Sequence, residues 1–185
     1  MSASIRIVLL VVAASVAYGV VHDQLTVRLS LEYFTVLHPR IGWLQGSESP
    51  TLLGLVWGVR ATWWLGFIVG IPVAYACRRG AEPRLGARDL LRPLAIVLGT
   101  MGAGAAMAAL AARHLGLAGA AELDPALASG IPPDRRIGAL MALWAHSASY
   151  ALGTSGGVAL AICVYVARRR RRAGPQPAGS TGRLP

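Results

Sequence analysis

Lysine is missing from this chain: all eighteen basic residues are arginine, against eight acids. Only 14% of residues are charged, where soluble domains carry about 25%. That shortage leaves too little polar surface for a sizeable water-soluble domain. The two cysteines, Cys77 and Cys163, form no CxxC pair, so they read as apolar filler rather than a disulfide or redox device. No ladder of ionisable side chains runs through the apolar stretches, which argues against a stand-alone ion pump or channel. The formal charge of +10 is no nucleic-acid signature either, because its arginines gather in short blocks beside apolar runs.

Those runs dominate what is present. A bilayer core of roughly 30 Å needs about 20 mostly apolar helical residues, and residues 5–21, 52–77, 93–112 and 137–167 qualify. The expectation is an all-α integral membrane protein, a four-transmembrane-helix bundle over residues 1–172. A Pro/Gly/Ser-rich tail, 173–185, is expected to be disordered. The first run also has the outline of a signal peptide, but its length favours an uncleaved span. Basic short loops stay cytoplasmic. The segment bounded by Arg78 and Arg92 carries five arginines, and Arg168 to Arg172 is unbroken. Both termini are therefore expected inside, in a cytoplasmic (inner) membrane, with anionic lipid as the partner of both blocks. Loops one and three, with balanced charge, fall outside.

Between the spans, Leu25, Val27 and Leu29 alternate with Thr26 and Arg28, a period of two that predicts an extended segment. Ser30 then suits the cap of a short helix over 31–37, stopped by Pro39. A second short helix is expected near 120–128. Small residues govern helix association in lipid. Gly66 with Gly70 and Gly153 with Gly157 form GxxxG pairs, and the Gly/Ala-rich third span is expected to be the most enclosed.

Counting outward from the basic ends places ionisable groups of every span near one level, with His22 and Asp23 ending span one, Arg60 in span two, Arg113 and His114 in span three and His146 in span four. Such groups are costly in lipid and mark functional sites by default. Each also has a plain alternative. Arg60 has Trp57, Trp63 and Trp64 around it, which suits snorkelling in an aromatic belt. His146 shares a stripe with Tyr150, Gly153 and Gly157, so it should face the bundle. His114 reads as a helix-end cap. Loop one is densest: His22, Asp23, Glu32 and His38 could, with His146, make a mixed N/O metal site. The alternative is an interlocked cap with Asp23 and Glu32 paired to Arg28, Arg40 or Arg60. No other cofactor is expected. Gly153-Thr154-Ser155-Gly156 shares the GxSG pattern of rhomboid-type protease nucleophiles, although glycine packing explains it as well.

The stretch YGVVHDQLTVRLSLEYFTVLHP, residues 18–39, together with ATWWLGFIVGIP (61–72), ARDLLRP (87–93) and AHSASYALGTSGG (145–157), resembles a family of small bacterial membrane proteins with an HDQxT…EYFT motif after the first span. The resemblance implies the bundle and highlights His22, Asp23, Gln24, Thr26, Glu32, Tyr33 and His146; it implies no activity.

The leading expectation is thus a membrane protein that binds a small ligand, ion or partner at a polar extracytoplasmic mouth made by His22, Asp23, Gln24, Thr26, Glu32, Tyr33, Arg60 and His146. A metal-dependent enzyme is one alternative. Another is an assembly subunit whose small-residue faces hold a partner helix or a second copy.

Overall fold

The computed structural model describes residues 1–39, 41–44, 46–80 and 83–173, and within them the chain is helical with no strand. The helices are α1 (Ala3–Leu29), α2 (Leu31–Thr35), α3 (Pro50–Arg78), α4 (Ala87–Leu117), α5 (Pro125–Ala128) and α6 (Arg136–Ala173). Four of them, α1, α3, α4 and α6, are long and apolar enough to cross a membrane. At 27 to 38 residues they span about 40 to 57 Å at 1.5 Å per residue, so each extends beyond the hydrocarbon.

Local chemistry sets the ends. The Ser49 hydroxyl accepts from Leu52 N at 3.3 Å, with Pro50 at the first helical position. The Asp89 carboxylate accepts from Gly86 N at 2.7 Å, starting α4. Ser30 caps α2, its hydroxyl accepting from Tyr33 N at 3.1 Å, as expected, although α2 ends at Thr35. Loop three forms the short α5, capped by Asp124, and a single 3-10 turn at Pro133–Arg135. The Arg40 position and the tail from 174 onward lie outside the described residues.

The expected extended segment at 25–29 is instead the last part of α1. His22, Asp23, Thr26, Val27 and Ser30 are buried, while Val21, Leu25 and Leu29 are exposed, a helical face rather than an alternating one. The period-two pattern misleads because this helix is turned inside out: its buried polar residues face the protein and its leucines face outward.

α1 and α3 pack antiparallel along a ladder of small residues on α3. A methyl at Gly54 would meet Asp23 O at 3.0 Å, at Gly58 Val20 Cα at 2.5 Å, at Gly66 Ser15 Oγ at 2.8 Å and at Gly70 Val8 Cα at 3.2 Å. Backbone contact this close is how helices associate where no hydrophobic force drives them. α4 and α6 form the second antiparallel pair, with Gly153 against Met101 and Gly156 against Val97. Gly157 touches Val69 of α3 and ties the pairs together. The third span is not the most enclosed. Its most apolar window is 22% buried against 28% for α3, and Gly99 has open space around it. Without long side chains α4 has little with which to reach α1.

At the N-terminal end of the bundle, Ile7, Val73, Cys77, Leu90, Leu160 and Val164 make one apolar core. Arg168, 3% exposed, closes that end. Its guanidinium donates to Ala76 O at 2.5 Å, Arg79 O at 3.1 Å and Pro83 O at 2.7 Å. Ala76 O and Arg79 O belong to the end of α3, which leaves its last carbonyls unpaired, and Pro83 O to the connection that follows. Arg168 is therefore a clasp between α6 and the α3–α4 connection rather than a lipid contact; Arg169 stacks over Tyr165 at 5.8 Å.

Candidate functional site

At the opposite end, α1 and α6 bring three polar side chains together under loop one. Asp23 is 3% exposed, His146 7% and His22 9%. His22 and Asp23 are neighbours on the buried face of α1, and His146 meets them from the inward stripe of α6. His146 Nε2 lies 3.1 Å from Asp23 Oδ1, and the two histidine rings meet edge to face with centroids 4.6 Å apart. One nitrogen of each histidine and a carboxylate oxygen of Asp23 all fall within 4.8 Å of one another.

The hydrogen bonds constrain the protons. His146 Nδ1 is 2.8 Å from the carbonyl oxygen of Ala142; a carbonyl only accepts, so Nδ1 carries a proton. A neutral ring then presents a lone pair at Nε2 to a carboxylate that also has only lone pairs. The 3.1 Å approach requires either a proton on one of the two atoms, Nε2 or Oδ1, or a metal ion between them. His22 Nδ1 sits 3.5 Å from Ser149 Oγ, and Ser149 Oγ is 2.8 Å from Tyr18 Oη. His22 Nε2 is buried with no hydrogen-bond partner.

The donor set fits a metal ion. Metal–nitrogen and metal–oxygen bonds near 2.1 Å put tetrahedral ligands about 3.4 Å apart. The His146–Asp23 pair is already close to that spacing, and no pair has more than about 1.4 Å to close on the same basis. Each histidine has a partner for its other nitrogen, Ala142 O or Ser149 Oγ, the usual arrangement behind a ligating imidazole. His22, Asp23 and His146 could therefore hold a metal ion, with a fourth position left for an exogenous ligand.

Aromatic rings roof the cluster. The Tyr33 ring lies 4.6 Å from that of His146, and Phe34 lies 5.8 Å from it. His38 stacks on Phe34 at 5.1 Å, meets Trp57 at 4.4 Å and donates from Nδ1 to Tyr33 O at 2.8 Å. Burial pushes the His38 pKa below its usual value, a shift that the Tyr33 carbonyl and the Asp23 charge only partly offset; its ring is neutral at pH 7. Burial likewise raises the Tyr33 pKa, so the phenol keeps its proton.

The other expected members lie elsewhere. Gln24 faces α3, donating to Thr51 O at 2.8 Å and accepting from Arg28. Thr26 is buried, but its hydroxyl donates back to His22 O at 3.0 Å. Glu32 accepts from the Ser30 hydroxyl at 3.0 Å and, with His38 and Glu48, borders an outer vestibule of about 420 Å³. Arg60 is exposed, its guanidinium 5.8 Å from the Trp57 ring, the aromatic-belt alternative rather than a partner of Asp23 or Glu32. Arg28 reaches Gln24 and Thr51, so among the described residues the interlocked cap pairs no arginine with Asp23. His114 is exposed on α4. Ser155 is exposed, and its hydroxyl donates to Ala151 O at 2.7 Å; it is a back-bonded helix serine, not a nucleophile.

Two contributors were missed, Tyr18 and Ser149. Each stands one helical turn from a histidine already singled out, Tyr18 four before His22 and Ser149 three after His146, and that spacing was the available signal. Below the cluster a narrow internal cavity of about 60 Å³ continues between the helices toward Leu160, lined mostly by apolar residues such as Val69, Val97 and Met101.

Fold and site together define a four-helix membrane protein with a buried His–Asp–His cluster under an aromatic cap. No family model, curated protein or solved structure matches the chain.

Proposed function

We propose that this protein binds a divalent first-row transition-metal ion through His22, Asp23 and His146 at the extracytoplasmic mouth of a bacterial inner-membrane bundle. The observation that carries this reading is the convergence of His146 Nε2 and Asp23 Oδ1 at 3.1 Å with the other histidine nitrogen committed to Ala142 O. Imidazole with carboxylate suits zinc, iron, manganese or nickel better than calcium or magnesium. The segments that resemble the small bacterial family, 18–39 and 145–157, supply all three ligands and Tyr33. That resemblance and the arginine blocks support the inner-membrane assignment and the orientation with both termini in the cytoplasm.

The reading is tested on full-length protein purified in detergent, loaded with Zn²⁺ or Co²⁺ and freed of excess ion. One equivalent should remain bound, with the visible absorption of Co²⁺ in an N/O environment. Asp23→Asn and His146→Gln should each lower retention at least tenfold. Metal-free protein whose thermal unfolding ignores added Zn²⁺ would leave a buried hydrogen-bonded His–Asp pair and sink the proposal. The second reading, a metal-dependent enzyme, draws on the same ligands and the fourth position. Glu32, the nearest spare acid in sequence, is held by Ser30 at the vestibule, so general-base chemistry would fall to another group.

A further inference from the structure

The cluster has a second approach, from the side. α1 and α4 leave a groove of about 240 Å³ between them. One wall is Val21, Leu25 and Leu29 of α1; the other is Gly102, Ala106 and Ala109 of α4. The groove exists because the α4 wall carries no side chain larger than a methyl, and a methyl built on Gly102 would meet only the Tyr18 ring, at 3.9 Å. Both walls belong to membrane-spanning helices, so the groove opens onto lipid.

Its polar groups are few. Thr26 is used up by His22 O, and the Tyr18 hydroxyl by Ser149. His22 remains, nine-tenths buried, with Nε2 lacking a partner, and it lines the groove and the central cavity alike. A bilayer-facing apolar channel therefore ends on His22, whose buried Nε2 has no partner, beside Asp23 and His146. The volume lies below the ~300–1,000 Å³ of ordinary ligand pockets, too small for a two-chain phospholipid.

We propose that the site takes a single-chain amphiphile with an oxygen-bearing head group, delivered sideways from the bilayer. Its chain lies in the α1/α4 groove and its head reaches the fourth position of the metal site, beside His22. The head-group contact rests on the metal reading; the seat of the chain does not. Water-borne partners approach instead through the vestibule, where Phe34, His38 and Trp57 close the way to His146.

The experiment uses full-length protein in phosphatidylcholine nanodiscs with a diazirine-bearing palmitate. After illumination, labelled peptides should concentrate on residues 18–29 of α1 and 102–109 of α4. Ala106→Trp, an exposed position on the groove wall, should cut that labelling at least fivefold while labelling at the lipid-facing Ile68 and Ile71 and the bound Zn²⁺ stay unchanged. Val21→Trp fills the groove from the other helix and guards against a folding defect in the first variant. Labelling spread evenly over all lipid-facing helices, or unaffected by both tryptophans, overturns the proposal. The wild-type protein separates the two readings: groove labelling in protein that retains no Zn²⁺ leaves the chain site standing when the metal reading has failed, and persistent labelling in His146→Gln shows that the chain is seated without the metal. Loss of both in His146→Gln with wild-type melting would show that no separate seat for the chain exists.

Discussion

Asp23 is the residue on which the site turns. A carboxylate 3% exposed inside a membrane helix persists only beside a compensating charge, because the desolvation cost of an isolated ion is several kcal/mol. His146 or a shared metal ion supplies that charge. Ser149 acts at one remove, since its hydroxyl lies 3.5 Å from His22 Nδ1 and holds the ring from behind. Ser149→Ala should therefore weaken Zn²⁺ binding about tenfold, the low end for groups behind a ligand, with melting temperature close to wild type. Chelator-competition titration measures it, and unchanged affinity would remove Ser149 from the site. Much of this cluster was legible in the sequence, because a histidine or acid stands out in an apolar helix and its depth can be counted from the arginine blocks. Direction around the helix was harder to read. Arg60 is two residues past Gly58, about 200° around α3, and since Gly58 faces α1, Arg60 must face away. Gln24 and Glu32 have the right depth too, yet point to α3 and to the vestibule.

At the scale of the helix, the small residues do not act alike. A leucine at Gly58 would drive into the backbone of Val20, with Cβ already 2.5 Å from its Cα, and rigid backbone has nowhere to move. Gly58→Leu should destabilise the bundle by about 3 kcal/mol or more, beyond the usual overpacking range of 1–3 kcal/mol. Gly102→Leu, at the open groove, should stay within about 1 kcal/mol. Unfolding of both variants in a detergent titration gives the comparison, and equal losses would contradict the packing described here. Gly157, against Val69 Cγ1 at 2.6 Å, belongs with the sensitive group. The GxxxG pairs identified these contacts only in part. Read at a spacing of four, the series Gly54, Gly58, Thr62, Gly66, Gly70 is one continuous face, and the threonine hides it from a glycine-only motif. The third span misled for the converse reason: small residues permit close approach, but they also leave gaps where no partner comes near.

Across the whole molecule, all four spans were legible from hydropathy, because lipid demands long apolar helices; their ends were not, because each helix continues several residues into the interfaces. The hairpin between α3 and α4 and the C-terminal arginines share one end, the cluster the other. Single cysteines in a Cys77→Ala, Cys163→Ala background test the orientation. Glu48→Cys should react with a membrane-impermeant maleimide in intact cells, and Arg79→Cys only after permeabilisation. The reverse pattern would place the cluster in the cytoplasm. The pairing of α1 with α3 and of α4 with α6 also bears on how the chain is made. Each pair is consecutive along the polypeptide, so a first helical hairpin can leave the insertion machinery already closed on its glycine ladder before the second is synthesised. Only the last helix then completes the His–Asp contact and brings Arg168 to its carbonyls, making biogenesis and assembly of the site a single terminal event.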